Sequence, residues 1–209
     1  MQKETYLKQV SDKETEIILE LLSATADVSG DIVEFGCYRG DTSLLLEKFI
    51  EKDLEFRKGK EFFDNDGGSK KLWLYDSFAG LPEKSNFDNS VAGDNFRAGE
   101  LLVSKAEVVM RFKKAGLRVP RIRKNFFENL NPDTDLPPKI SFAFLDGDLY
   151  SSILTSFKLV WNKLSDGAIV VVHDYNNPEL PGVTKAVEEW GQAHGFRLEV
   201  RESLAIVRV

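Results

Sequence analysis

The chain has 209 residues, 42% of them hydrophobic and 30% charged, a size that suits one domain able to bury a real core. Its net charge of −6 argues against broad contact with nucleic acid or an anionic membrane, and the run Arg118-Val119-Pro120-Arg121-Ile122-Arg123-Lys124 reads as a solvated strand edge or a local anion contact. A single cysteine, Cys37, excludes an intrachain disulfide framework; Met1 to Thr5 carry no apolar run and no stretch approaches a membrane span, so the expected location is the cytoplasm.

Ser11-Asp12-Lys13-Glu14 forms a capping box ahead of Ile17, Ile18, Leu21 and Leu22, which share one helical face. A turn at Asp27 to Gly30 leads into a first strand, Asp31 to Phe35. After Gly40 comes a helix with Asp41 or Thr42 as its cap and Leu44, Leu45, Phe49 and Ile50 on its inner face. Glu51 to Lys71 is charged and glycine-bearing, which predicts a surface insertion with some helix in its first half. Leu72 to Asp76 is a second strand, and Ser77 to Pro82 turns by composition. Glu83 to Gly99 is polar without periodicity and predicts a mobile loop, and Glu100 to Lys114 returns to helical spacing. Residues 83–116 thus read as a lid or acceptor-side insertion in a single domain covering 1–209. The aromatics Phe62, Phe63, Phe87 and Phe96, with Arg97, either shape an acceptor pocket or cover the core.

Leu117 to Ile122 makes a third strand and Ile140 to Leu145 a fourth. A helix over Ser151 to Leu164, capped by Ser151, precedes a Ser165-Asp166-Gly167 turn and the most hydrophobic strand, Ala168 to Val172. Thr184 to Ala193 is a helix stopped by Gly195, where His194 suits the C-terminal dipole. Phe196 to Val200 and Leu204 to Val209 alternate as a closing hairpin. Alternating strands and helices followed by a hairpin predict an α/β fold. It is a doubly wound, Rossmann-like, seven-stranded sheet, mostly parallel with a C-terminal antiparallel hairpin.

In such a sheet the carboxyl ends of the parallel strands lie on one rim, here carrying Glu34, Asp76, Asp146-Gly147-Asp148 and His173-Asp174. An acidic pair is costly to desolvate, so Asp146 and Asp148 need a cation, a mobile proton or a hydroxyl partner. The loop Gly36-Cys37-Tyr38-Arg39-Gly40 lacks the G-x-G-x-x-G fingerprint, which argues against a nicotinamide oxidoreductase. An acid beside few glycines suits a cationic amino-acid nucleoside better than a pyrophosphate. Asp76 stands where a carboxylate can accept both hydroxyls of a ribose, and Cys37, with no base assigned to it, reads as a small loop residue.

Four motifs follow one another: Val33-Glu34-Phe35-Gly36-Cys37-Tyr38-Arg39-Gly40, Tyr75-Asp76-Ser77-Phe78-Ala79-Gly80-Leu81-Pro82, Leu145-Asp146-Gly147-Asp148-Leu149-Tyr150-Ser151-Ser152 and His173-Asp174-Tyr175. From about Asp31 to Trp190 the chain resembles the macrocin O-methyltransferase (TylF-like) family. The resemblance implies a class I S-adenosylmethionine-dependent methyltransferase that acts on a hydroxyl of a sugar or other small natural product with help from a divalent metal. It implies that Glu34 and Gly36 line the methionine end of the cofactor, with Tyr38, Ser77 and Asp146 beside it. Asp76 would hold the ribose, and Asn125 and Phe126 would flank the adenine. Asp146, His173 and Asp174 would bind the metal, and Asp148 would be the general base.

The family usually has Asp-Asp-Tyr where this chain has His173-Asp174-Tyr175. Imidazole suits Mn²⁺ or another borderline ion better than the usual Mg²⁺. His173 is therefore open to three readings: a metal ligand, a base that replaces the metal, or an ordinary strand-end histidine. A metal-independent methyltransferase with His173 or Asp148 as base is the second enzyme reading, and a non-catalytic S-adenosylmethionine or nucleotide-binding protein the third. Relatives often carry a longer N-terminal region that serves acceptor binding and assembly, so acceptor identity does not transfer, and a homodimer stays open.

Overall fold

The computed structural model describes residues 9–58 and 70–209. The chain runs α1 (Asp12–Ala24), β1 (Asp31–Phe35), α2 (Asp41–Lys58), β2 (Leu72–Asp76), α3 (Lys105–Lys114), β3 (Arg121–Lys124), the single turn α4 (Pro132–Asp135) and β4 (Ile140–Leu145). It continues through α5 (Tyr150–Val160), β5 (Leu164–Val172), α6 (Pro181–His194), β6 (Leu198–Arg201) and β7 (Leu204–Arg208). The seven strands form one sheet in the order β3-β2-β1-β4-β5-β7-β6, parallel up to β5 and antiparallel around β7. The order reverses direction between β1 and β4, which opens a crevice at their carboxyl ends.

Alternation along the strands builds a core on each face of this sheet. Val33, Phe35, Ala143, Leu145, Val170 and Val172 cluster with Ile153 and Phe157 of α5 and Val183 and Val187 of α6. Their neighbours Ile32, Phe142, Phe144, Ile169 and Val171 cluster with Ile17 and Leu21 of α1, Leu46 of α2 and Phe112 of α3. Glu34 has the same orientation as this second set, which is why a carboxyl lies in an otherwise apolar layer, 1% exposed.

Strands β1, β2 and β4 fall where the hydrophobic runs predicted them; other boundaries moved for local reasons. Helix α3 begins five residues after the expected Glu100, because Ser104 caps it and Glu107 completes a capping box. Strand β3 begins at Arg121 rather than Leu117. The preceding residues are drawn toward α2, where Glu51 Oε1 accepts the Arg118 N–H (2.7 Å) and Glu47 Oε1 accepts its Nε–H (2.7 Å). The basic run is otherwise a sheet edge, with Arg121, Arg123 and Lys124 exposed. The expected Ser165-Asp166-Gly167 turn is part of β5, with an irregular register against Ile140 and Phe142. Helix α2 extends to Lys58, so the first half of the predicted insertion is helical; Phe62 and Phe63 lie outside the described residues.

The segment expected to be a mobile lid is fastened at base and tip. Leu81 and the Gly99-Glu100 pair exchange backbone hydrogen bonds of 2.9 Å, and a Cβ at Gly80 would approach the Gly99 carbonyl carbon to 2.5 Å. At the tip, Asp88 is 2% exposed, and its Oδ1 accepts the Tyr150 N–H at 2.7 Å. Ser151 is thus not the cap of α5: the N-cap position is Leu149, without a side-chain bond, and Asp88 supplies an acceptor from across the fold. The same oxygen lies 1.9 Å from where a Cβ on Gly182, at the start of α6, would stand.

Candidate active site

The crevice at the switch point is built on backbone that few side chains would allow. Gly36 has φ 84° and its N–H bonds the Tyr75 carbonyl at 2.9 Å; a Cβ there would lie 1.9 Å from the Asp146 carbonyl oxygen. The loop after β1 can therefore press against the end of β4 only with glycine at this position. Tyr38 (φ 43°), Asp148 (φ 58°) and Asp174 (φ 59°) occupy the left-handed region, uncommon for such residues and concentrated at functional loops.

Asp76 ties two of these loops together. Its Oδ2 accepts the N–H groups of Cys37 (3.0 Å) and Tyr38 (3.1 Å), and its Oδ1 accepts that of Phe78 (2.8 Å). Oδ2 is thereby filled and Oδ1 keeps one acceptor site, so the carboxylate can serve the loop and a ligand hydroxyl together. Asp76 lines the crevice with Glu34, Gly36, Tyr38, Ser77, Phe126, Asp146 and Asp148. The Ser77 hydroxyl is spent locally, donating to the Gly80 carbonyl at 2.7 Å and accepting the Ala79 N–H at 3.0 Å. Asn125 is not part of the lining; its Nδ2 donates to the Asn129 carbonyl at 3.1 Å and so closes the turn that presents Phe126. Gln9, Val10, Thr15, Leu101 and Glu128 also line it, as do Thr42 and Leu45, which the sequence marked only as a helix cap and an inner-face residue. They come from α1, α2 and loops whose crevice-facing side has no motif.

Glu34 has an unpartnered oxygen, Oε2, buried in this wall. Burial, reinforced by the negative charges of Asp146 and Asp76, pushes its pKa up to about 8. A buried carboxyl with a spare acceptor in the lining of a pocket fits a ligand amine. Cys37 is buried, and burial, with Asp76 and Glu34 nearby, raises its thiol pKa, which keeps it protonated and unreactive.

Behind this wall stands the second cluster. His173, 4% exposed, places Nδ1 at 3.0 Å from Asp146 Oδ1 and 3.1 Å from Asp174 Oδ2. One ligand atom from each of the three residues lies within 4.8 Å of the others, so two carboxylates and an imidazole make a donor set that fits a divalent cation. Asp174 is held in place by Asn177 Nδ2, which donates to its Oδ1 at 2.8 Å. On the far side of the ring, His173 Nε2 faces Glu14 Oε1 of α1 at 3.8 Å. Glu14 had been legible only as a helix cap.

Charge dominates this cluster. Burial alone would lower the His173 pKa, but the charge and hydrogen bonding of Asp146, with the Asp174 and Glu14 carboxylates close by, outweigh it and raise it far above the usual imidazole range. The contact with His173, together with Ser203 and Ser11, outweighs burial and holds Glu14 well below the ordinary carboxylate range. Burial raises Asp146 against the pull of His173, and burial with the charges of Asp146 and Asp174 raises Asp148 well above a normal aspartate. A pocket with several acids around one imidazole favours a positively charged ligand.

The solved structures that share this fold include Rossmann-like methyltransferases. That of the O-methyltransferase NovP superposes with a TM-score of 0.77 over 96% of this chain and 81% of its own, at 23% identity, a likeness of fold. The chain belongs to the macrocin-O-methyltransferase (TylF) family, whose profile matches residues 12–203. Demethyldecarbamoylnovobiocin O-methyltransferase of Streptomyces niveus is 28% identical over 171 residues, 78% of this chain and 59% of that protein. The 8-demethyl-8-(2,3-dimethoxy-alpha-L-rhamnosyl)-tetracenomycin-C 4'-O-methyltransferase of Streptomyces olivaceus is 26% identical over 180 residues, 84% of this chain and 63% of that protein. The chain therefore spans less than two thirds of the length of these curated relatives.

Proposed function

We propose that this chain is an S-adenosylmethionine-dependent O-methyltransferase whose acceptor is a hydroxyl of a sugar or another small natural product. The observation that carries the reading is the convergence of Glu34, Asp76, Asp146 and Asp148 on one crevice, in a chain of this family. Two relatives named for O-methylation of demethyldecarbamoylnovobiocin and of a rhamnosyl tetracenomycin support the acceptor class. Net charge −6 and the lack of any described helix long and apolar enough to cross a membrane favour a cytoplasmic enzyme without nucleic-acid or membrane partners.

In this reading Glu34 offers its free oxygen to the amino group of the donor. Asp76 accepts a ribose hydroxyl through Oδ1 while holding the first loop in place, Phe126 packs on the adenine, and Asn125 holds the Phe126 turn. Methyl transfer forms an oxygen–carbon bond as the sulfur–carbon bond breaks, so the protein must align donor and acceptor and remove one proton. Asp148 takes that proton, and the positive charge of the bound donor favours its ionised form. Asp146, His173 Nδ1 and Asp174 would hold a divalent cation, whose charge would ease loss of the acceptor proton. Mg²⁺ is the family default, and the imidazole shifts the preference toward Mn²⁺.

One observation favours a second, metal-free reading: Nδ1 already lies 3.0 and 3.1 Å from the two carboxylates, so an imidazole N–H can bridge them unaided. In that case His173 keeps its proton and Asp148 alone acts as base. The test is methyl transfer from labelled donor to a panel of sugar-bearing natural products, before and after chelation. Activity lost on chelation and restored by Mn²⁺ or Mg²⁺ supports the metal reading. Undiminished activity after full chelation overturns it in favour of the second, and a donor-binding protein that methylates no hydroxyl counts against both.

A further inference from the structure

We propose that Glu14 is the positioning residue of His173, and that the pair tunes the Asp146–His173–Asp174 site for a borderline divalent cation such as Mn²⁺ over Mg²⁺. The inference rests on the metal reading above. Glu14 is the third residue of α1, where a capping-box glutamate needs only one oxygen, and its Oε2 meets that need by accepting the Ser11 N–H at 2.8 Å. The whole residue is nonetheless 7% exposed, because its second oxygen turns inward. Oε1 accepts a hydrogen bond from Ser203 in the turn between β6 and β7, and lies 3.8 Å from His173 Nε2. One carboxylate therefore joins the first helix, the closing hairpin and the imidazole.

The chemistry of the ring gives that contact its role. An imidazole that offers the Nδ1 lone pair to a cation carries its remaining proton on Nε2, and that proton needs an acceptor. Glu14 is the carboxylate that faces it. At 3.8 Å the contact is an ion-pair approach beyond direct hydrogen-bond reach, and contacts of this kind tighten when a site is filled. An outer carboxylate fixes the tautomer of a metal-ligating histidine and raises its basicity, and removing such a group costs about 10- to 100-fold in metal affinity.

The test measures Mn²⁺ affinity by the electron paramagnetic resonance of free Mn²⁺, with Mg²⁺ as competitor, independently of turnover. Glu14→Gln is the informative variant, since glutamine also completes a capping box and leaves the helix start intact. Its single amide oxygen cannot serve both the Ser11 N–H and His173. The expected result is a loss of about 10- to 100-fold in Mn²⁺ affinity and a smaller Mn²⁺-over-Mg²⁺ preference, measured on a variant that circular dichroism shows to be folded. In a His173→Asp background, which has no ring to orient, Glu14→Gln should cause no loss or a gain. Equal losses in both backgrounds overturn the proposal by making Glu14 mere scaffold. Mn²⁺ binding indifferent to Glu14→Gln overturns the inference alone, whereas a wild-type protein that binds no Mn²⁺ overturns the metal reading with it.

Discussion

Asp148 sits in left-handed backbone, φ 58°, at the lip of the crevice, with Asp146 and Asp174 raising its affinity for a proton beyond what burial does. A base placed this way becomes ionised, and so able to take a proton, once the cationic donor has arrived. Asp148→Asn should lower kcat by about 10²- to 10⁴-fold and leave S-adenosylhomocysteine affinity unchanged in calorimetry; a comparable loss of product binding would make it a binding residue. Glu34 yields a prediction with a definite sign. Burial pushes its pKa up to about 8, so below that pH the carboxyl is protonated. Pairing with an ammonium requires the carboxylate. Donor binding at pH 6.5 should therefore release about one proton, seen as a binding enthalpy that changes with buffer ionisation heat. Glu34→Gln should reduce that dependence by about one proton's worth, and a wild-type enthalpy independent of buffer would contradict the pairing.

Helices α5 and α6 both begin without a side-chain cap of their own. Asp88, from the polar segment between β2 and α3, lies against both starts, bonded to Tyr150 N–H and packed on Gly182. Ser85 N–H bonds its other oxygen at 2.8 Å, and the Ser90 hydroxyl donates to the Pro178 carbonyl at 2.6 Å. The segment between β2 and α3 is thus fastened to α5 and α6 by a buried carboxylate. Asp88→Ala should cost about 1–2 kcal/mol, lower Tm by roughly 2–4 °C per kcal/mol and speed proteolytic nicking within residues 83–99. Unchanged Tm and nicking would show that the segment is held by other contacts. These bonds also mark where sequence reading stops. Local codes such as the Ser11–Glu14 capping box, or the alternation that fixes β1, β2 and β4, are written in neighbouring residues. The Asp88–Tyr150 bond joins residues 62 apart and the Glu14–Ser203 bond residues 189 apart, and neither partner's neighbourhood announces the other.

At the scale of the whole molecule, strand order turns separate motifs into one site. The alternation of strands and helices foretold a parallel sheet with a closing hairpin, and that alone put Glu34, Asp76, Asp146 and His173 on one rim. What it could not foretell was depth. Asp146 and Asp148 line the crevice, whereas His173 stands behind them in contact with a helix from the start of the chain. It could not foretell either that Asp76 already holds two backbone N–H groups of the first loop through one oxygen. The central claim is that this rim binds an S-adenosyl amino-acid nucleoside, and calorimetric titration with S-adenosylhomocysteine tests it most directly. The account predicts one site per wild-type chain, and for Asp76→Ala an affinity about 10- to 100-fold weaker, the loss of a charged hydrogen bond. A wild-type chain that binds neither S-adenosylmethionine nor S-adenosylhomocysteine would contradict it.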